Sequence, residues 1–261
     1  MPNSFGDRTY DEAGDLYFEF IQHGLAQRGS MVHLAVDSVL RLLGDVKGRA
    51  VCDVACGEGH LSRTLVSRGA LVTGIDLSAS LIAYAQRQSQ GADITYVIGD
   101  AQTLSPLPDA AFDGAVCHIA LMDIPDFMAV FRSVWRILRA GGRFVFAILH
   151  PCFETPYHGP DSHLALDEAG NFVGFVVRAY TSEGHWNSGG TGMRGMFGAY
   201  HRMLSTYLNG LLDAGFVIER IDEPKLPPGN YTELSQQINS RGTQILVVSA
   251  IKTGGGALSL A

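Results

Sequence analysis

The stretch 49–59, Arg-Ala-Val-Cys-Asp-Val-Ala-Cys-Gly-Glu-Gly, constrains the fold more than any other in the chain. A short apolar run carries the acid Asp53 near its end, and a tight turn built on Gly57 and Gly59 follows at once. Helical spacing comes next, with Leu61, Leu65 and Val66 on one side. A second apolar run, Leu71-Val72-Thr73-Gly74-Ile75, then ends in Asp76. In parallel α/β proteins the order strand, glycine turn, helix, strand, acid sets a nucleoside at the carboxyl ends of the strands. Glycine lets the backbone approach a ligand closely, and a carboxylate after the second strand accepts both ribose hydroxyls. A ligand-free βαβ unit shares the glycine pair but has no need of the acids.

The residues also bear on which nucleoside is held. A dinucleotide fingerprint needs a third glycine for close helix–strand packing; counted from Gly57, that place holds Ser62. A phosphate loop ends in Gly-Lys-Ser/Thr, and no lysine occurs between Lys47 and Lys225. A phosphate tail would meet Asp53, Glu58 and Asp76 with little cationic compensation nearby. A cationic guest fits better: S-adenosylmethionine has a sulfonium, an ammonium and an adenosine, and no phosphate.

Length and charge narrow the class. At 261 residues the chain suits one elaborated α/β domain. A chain of that size buries roughly 70–75% of its unfolded surface and needs no metal or disulfide to fold. The net charge of −7, without a Lys/Arg cluster, disfavours a nucleic-acid partner held by counterion release. The start, Met1-Pro2-Asn3-Ser4, has no signal pattern, and the apolar run Phe144–Leu149 is too short for a bilayer. Cys52, Cys56, Cys117 and Cys152 form no C-x-x-C pair. The expectation is a cytoplasmic, disulfide-free protein, monomer or homodimer.

Periodicity predicts helices over 10–28 and 31–43, then strands at 50–54, 71–75, 94–98, 114–119 and 143–149. Helices are expected over 60–68, 79–89 and from Pro125 or Asp126 to Leu138, the last ended by Gly141-Gly142. After strand five the rhythm stops: 150–198 is rich in His, Gly, Tyr and Phe, with one strand-like run at Phe172–Tyr180. A helix over His201–Ala214 and strands at Phe216–Ile221 and Ile245–Ile251 complete the pattern. The expected fold is α/β, a doubly wound, mostly parallel, seven-stranded sheet with a cap inserted after strand five. The whole chain, 1–261, reads as one domain, with 1–45 as an N-terminal helical lid and 150–198 as a substrate-binding cap.

Five motifs in order resemble class I S-adenosylmethionine-dependent methyltransferases of the small-molecule, UbiE-like (type 11) branch. Asp53-Val54-Ala55-Cys56-Gly57-Glu58-Gly59 is similar to the family's glycine-rich motif, with Ala55 where glycine is commoner. Gly74-Ile75-Asp76-Leu77-Ser78 resembles the acidic post-strand motif, and Gly99-Asp100-Ala101 the adenine motif. Phe112-Asp113 through Asp126 resembles the fourth-strand motif, with Met122 and Asp123 where the family often has two histidines. Leu138–Arg143 resembles the turn into strand five. The likeness implies a Rossmann-like methyltransferase fold with S-adenosylmethionine as cofactor and S-adenosylhomocysteine as product. It also implies a cofactor site of Tyr10, Tyr17, Asp53, Ala55, Cys56, Gly57, Asp76, Leu77, Asp100, Ala101, Gln102, Cys117 and His118. In that site Asp53 places the ammonium, Asp76 takes the ribose hydroxyls and Leu77 flanks adenine. Asp100 accepts the adenine amino group, and Cys117 and His118 lie near the sulfonium.

An oxygen acceptor needs a base near neutrality, an amine only needs positioning, and a ring carbon must lose a proton. Candidates for that work are His118 and His150 at strand ends and the carboxylates Asp123 and Glu154. Tyr157, Tyr180, Trp186, Phe172, Phe175 and Phe197 could line an aromatic pocket or serve as core. No metal site is expected, because the His150/Cys152/His158/His163 spacing matches no common zinc pattern. The expected activity is methyl transfer to a small, ring-containing metabolite, with O, N and C acceptors left open. A nucleic-acid methyltransferase, a non-catalytic S-adenosylmethionine binder and an NAD-linked oxidoreductase stand as alternatives.

Overall fold

A computed structural model describes residues 11, 31–157, 164–189, 193–225, 233, 236–238 and 242–254. Tyr10, Tyr17, His158, His163 and the expected helix 10–28, save Asp11, lie outside the described residues.

Seven strands form one sheet: β1 (Ala50–Val54), β2 (Leu71–Asp76), β3 (Ile94–Ile98), β4 (Phe112–His118), β5 (Leu138–Leu149), β10 (Phe216–Asp222) and β11 (Ile245–Lys252). Their order is β3-β2-β1-β4-β5-β11-β10. The first five run parallel, and β11 is antiparallel to both β5 and β10. Order reverses between β1 and β4, so the crevice for a ligand opens at the carboxyl ends of those strands.

Alternation along the central strands sorts side chains to two faces. Phe144, Phe146 and Ile148 of β5 join Cys52, Val54 and Cys117 in one core. Helix α4 (Phe127–Ile137) adds Phe131 and Val134 there, and α6 (Leu204–Asp213) adds Tyr207 and Leu211. Val145 and Ala147 face the other way, onto α1 (Met31–Leu43) through Val39 and Leu43 and onto α2 (His60–Ser67) through Leu61 and Leu65. Helix α3 (Ala79–Gln88) begins at Ser78, whose hydroxyl accepts the Leu81 amide at 3.1 Å. Asp126 caps α4 in the same way, accepting from the Ala129 amide.

Two expectations at strand five need correction. Helix α4 stops at Ile137, and β5 begins at once with Leu138 instead of after Gly141-Gly142. Leu138 pairs with Phe112, whereas Arg143 pairs with Gly114, so the glycines lie in a bulge inside the strand.

The segment between β5 and α6 contains two small antiparallel hairpins rather than one strand. β6 (Leu164–Leu166) pairs with β7 (Phe172–Phe175), and β8 (Gly184–Trp186) pairs with β9 (Ala199–His201), with the short α5 (Met193–Met196) between the last two. The expected run to Tyr180 ends at Phe175, and His201 belongs to β9 rather than to the following helix. Helix α6 starts at Leu204 because Glu183, from the hairpin side, accepts the Met203 amide at 2.6 Å and the Thr206 hydroxyl at 2.5 Å. The Tyr180 hydroxyl accepts the Leu204 amide, and buried His201 donates Nε2–H to the Tyr180 carbonyl at 2.8 Å.

Candidate functional site

The glycine turn after β1 and the acid after β2 meet. Asp76 Oδ2 accepts the Gly57 amide at 2.8 Å, and Oδ1 accepts the Ser78 amide at 2.9 Å. Both glycines of the turn have left-handed backbones, φ +53° at Gly57 and +82° at Gly59. Ala55 also has positive φ, +55°, which explains why glycine suits that place better. A methyl on Gly59 would collide with the Tyr96 hydroxyl, and one on Gly74 would lie 2.9 Å from the same ring and 3.0 Å from Cys56 Sγ. Tyr96, not singled out in the sequence, thus packs against the turn from β3.

Asp53 lies beneath the turn, 1% exposed, and its Oδ2 accepts the Ser62 hydroxyl at 2.6 Å. Ser62, at the missing third-glycine position, therefore holds the first acid of the motif. Burial, opposed by that hydrogen bond and aided by the charges of Asp76 and Glu58, raises the Asp53 carboxyl to about 7. Burial also raises Asp76, against the two amides it accepts. Glu58 leaves the uncompensated set, because Arg63 meets its carboxylate at 2.6 Å and its carbonyl at 2.7 Å. The remaining pair, Asp53 fully buried and Asp76 half-buried, are two carboxyl groups whose ionisation a bound cation would favour. That donor set fits a ligand with a cationic centre and a diol, and it opposes a phosphate.

At the end of β3, Asp100 Oδ1 accepts the Gln102 amide at 2.8 Å, and both Asp100 oxygens accept from Gln102 Nε2. Gln102 Oε1 accepts the Asp126 amide, and its carbonyl accepts the Ser133 hydroxyl. Asp100 is thereby tied, through Gln102, to Asp126 at the start of α4 and to Ser133 within it. Ala101 is buried beside it, while Leu77 is 70% exposed at the rim next to Asp76.

The other expected residues divide. Cys117 is fully buried among the core residues, and burial raises its thiol well above the usual range. Cys56 is half-buried at the turn. His118 ends β4, half-buried, followed by Ile119 with φ +50°. His150 is 3% exposed; its Nε2 lies 2.8 Å from Glu223 Oε1, and its Nδ1 accepts the Cys152 amide at 3.2 Å. With Nδ1 accepting, Nε2 carries the proton toward Glu223, so both ring nitrogens are engaged. Asp123 and Glu154 converge on one partner that sequence reasoning missed. Arg194 Nη1 donates to Asp123 at 2.9 Å, and its Nε lies 3.5 Å from Glu154. These residues border a crevice walled by Met122, Leu149, Trp186, Tyr200 and Tyr207. Arg202 was missed as well. It is 6% exposed, donates to the carbonyls of Leu121, Ile124 and Pro125, and stacks on Phe127 at 4.7 Å. Arg194 lies outside every expected element and Arg202 inside the helix expected over 201–214, so in both cases only the tertiary pairing reveals the role. Among the described residues, no group of three or more His, Cys, Asp or Glu is placed to hold a metal ion.

Comparison with known proteins agrees with this geometry. The methyltransferase-domain family matches residues 52–146, from within β1 to within β5. A solved S-adenosylmethionine dependent methyltransferase from Mesorhizobium loti is 31% identical, with a TM-score of 0.71 over 82% of this chain and 96% of its own. A Listeria monocytogenes structure matches with a TM-score of 0.73 at 25% identity, over 85% of this chain and 98% of its own. A ubiquinone biosynthesis O-methyltransferase from Pseudomonas entomophila is 35% identical over 105 residues, 40% of this chain. The match spans 45% of that curated relative, less than half its length. With the motif order, the sheet order and these relatives in agreement, the chain belongs to the class I S-adenosylmethionine-dependent methyltransferases of the UbiE-like type, and S-adenosylmethionine is its cofactor.

Proposed function

We propose that the chain methylates a small, ring-bearing metabolite that enters between the carboxyl ends of β4 and β5 and the cap, 150–198. One observation carries this reading: the crevice there is walled by Met122, Leu149, Trp186, Tyr200 and Tyr207, with a few charged groups at its edge. Apolar and aromatic walls with sparse polar groups suit a small organic ligand. Tyr157 stacks on Trp186 at 5.1 Å and extends the aromatic wall. The Pseudomonas relative, an O-methyltransferase of ubiquinone biosynthesis, works in a small-molecule setting compatible with it.

When bound, S-adenosylmethionine supplies an electrophilic methyl on sulfur; the S–CH3 bond breaks as the acceptor–CH3 bond forms, leaving a thioether. The chain's own residues hold the two partners in line and exclude water. Gly57, with Ala55 and Cys56 of the same turn, seats the methionine part; Asp53 faces its ammonium. Asp76 accepts the ribose hydroxyls, Leu77 covers adenine, and Asp100, Ala101 and Gln102 hold its edge. Asp11 accepts the Ser78 hydroxyl and the Ser80 amide, two residues and four residues past Asp76 at that end of the groove. His118, at the end of β4, is the group we assign to receive a proton from an O- or C-acceptor. Asp123 and Glu154 take positioning roles through Arg194, and His150 a structural one through Glu223. Four free cysteines suit a reducing cytoplasm.

The test is transfer from methyl-labelled S-adenosylmethionine to a metabolite panel, with product structures solved by NMR. Label in a phenolic, amine or ring-carbon product supports the reading. Label recovered only in nucleic acid overturns it.

A further inference from the structure

One guanidinium links the insertion to the ends of β4 and β5. Arg194 lies on α5, and its side chain is 13% exposed. It donates to Asp123, in the 3-10 turn after β4, and lies 3.5 Å from Glu154, just after β5. The same Nη1 donates to the Gly198 carbonyl at 3.2 Å, beside β9. The backbone ties α5 to the β8–β9 hairpin: the Ser188 amide donates to the Arg194 carbonyl at 3.1 Å, and Asn187 Nδ2 to the Gly195 carbonyl at 3.0 Å. That hairpin carries Trp186, 7% exposed, over the crevice. The crevice, half open to solvent, offers about 20 Å³ of free space, enough for one water and too little to bury a ring.

From this geometry we propose that Arg194 is the positioning residue that shuts the acceptor crevice. Its pairing with Asp123 and Glu154 pins the β8–β9 hairpin and seats Trp186 over the strand ends, so an acceptor enters only when this bridge parts. The proposal rests on the crevice being the acceptor site of the methyltransferase. Two carboxylates against one partly buried guanidinium hold the arginine in one pose, because its planar fork reaches both at once. Lysine, a single point donor, would span only one of them. Charge removal on either side of the contact should therefore free the same hairpin.

Trp186 and Trp135 are the two tryptophans of the chain, and Trp135 lies under Lys252 at 3.8 Å, away from the crevice. A full-length Trp135→Phe background makes Trp186 the single reporter of closure. In that background, acrylamide quenching should rise by about threefold in Arg194→Ala, with Arg194→Lys between the two, because quencher reaches the indole only when the hairpin opens. Asp123→Asn with Glu154→Gln should give the same rise without altering α5 or the β8–β9 hairpin. S-adenosylhomocysteine, measured by calorimetry, should bind these variants within about threefold of the parent, since its groove is a separate set of contacts. Unchanged quenching in Arg194→Ala, or in the double carboxamide variant if Arg194→Ala does not fold, overturns the proposal. A rise in quenching in a protein that binds no S-adenosylhomocysteine, parent included, leaves the bridge standing and rejects the methyltransferase reading.

Discussion

Gly57 donates its amide to Asp76 at 2.8 Å, so the turn after β1 and the acid after β2 form one unit. This bond orients the Asp76 carboxylate and spends one lone pair of Oδ2; the Ser78 amide spends one of Oδ1. Each oxygen keeps acceptor capacity on its outer side, which is what a vicinal diol requires.

Asp76→Asn keeps one acceptor for these amides but removes the charge that strengthens hydrogen bonds to the ribose. Charged hydrogen bonds contribute about 1.5–3 kcal/mol each, so affinity for S-adenosylmethionine should fall by at least tenfold while the protein stays folded. Asp76→Ala should also lower stability, since two amides lose their partner. Calorimetry checks the first effect and urea unfolding the second; unchanged affinity in Asp76→Asn would reject the ribose role.

The buried Asp53 makes both stability and cofactor binding depend on pH. Its folded value, about 7, lies above the ordinary 3.8, so the folded protein holds a proton there that the unfolded chain has lost. Its contribution to stability is therefore greatest below pH 4 and declines as pH rises toward 7, by a few kcal/mol at most on the order of 1.4 kcal/mol per unit. A cationic ligand favours the ionised carboxylate, so affinity for S-adenosylmethionine should increase from pH 5.5 to 8 with release of a proton on the acid side. Asp53→Asn should flatten both trends. Calorimetry in buffers of different ionisation enthalpy reads the proton directly, and no proton release at pH 6 would refute the account.

What could be read in the sequence follows from how local each feature is. Strands 50–54 and 94–98 and helix 31–43 agree with the structure to the residue, because apolar periodicity is a local signal. The start of β5 was misplaced because the bulge at Gly141-Gly142 looks like a helix stop until Leu138 is seen pairing with Phe112. Asp53 and Asp76, in the last residues of β1 and β2, and Asp100, just after β3, stand where the strand pattern alone puts them. The partners of Asp123, Glu154 and His150 do not. Arg194 is 71 positions from Asp123, and Glu223 is 73 from His150, and no local pattern encodes such pairings. Ser62 was legible only as a missing glycine, although it is the residue that holds Asp53.

Two substitutions in the turn should act in opposite directions. Ala55 sits at φ +55°, where an L-residue is strained by about 1–2 kcal/mol and glycine is not. Ala55→Gly should stabilise by up to about 1 kcal/mol after glycine's larger unfolded entropy is offset. Gly59, at φ +82°, faces Tyr96, whose Cζ would lie 3.0 Å from an added methyl. Gly59→Ala should destabilise by about 2 kcal/mol or more, from backbone strain and overpacking together. Tyr96→Ala should restore part of that loss in the double variant. Chemical denaturation of the four proteins measures the coupling; equal signs for Ala55→Gly and Gly59→Ala would contradict it.

Arg202 fastens the 3-10 turn after β4 to α4 and α6. Its guanidinium donates to the carbonyls of Leu121, Ile124 and Pro125 and lies over Phe127 and Tyr200 at 4.7 and 5.0 Å. Those carbonyls stand beside Met122 and Asp123, so the same side chain that secures the turn also fixes the crevice floor. Arg202→Met fills the volume but leaves the carbonyls without their donor, at a cost of about 2–4 kcal/mol. At roughly 2–4 °C per kcal/mol for a chain of this size, Tm should drop by about 4–16 °C. Arg202→Lys should fall between, because one ammonium cannot reproduce the planar fork across three acceptors. The acceptor crevice should loosen with it, whereas the cofactor groove, built on β1 to β3, should retain its affinity for S-adenosylhomocysteine within about threefold. Calorimetric melting with and without S-adenosylhomocysteine separates the two, and an unchanged Tm in Arg202→Met would show that the buried arginine does not carry the turn.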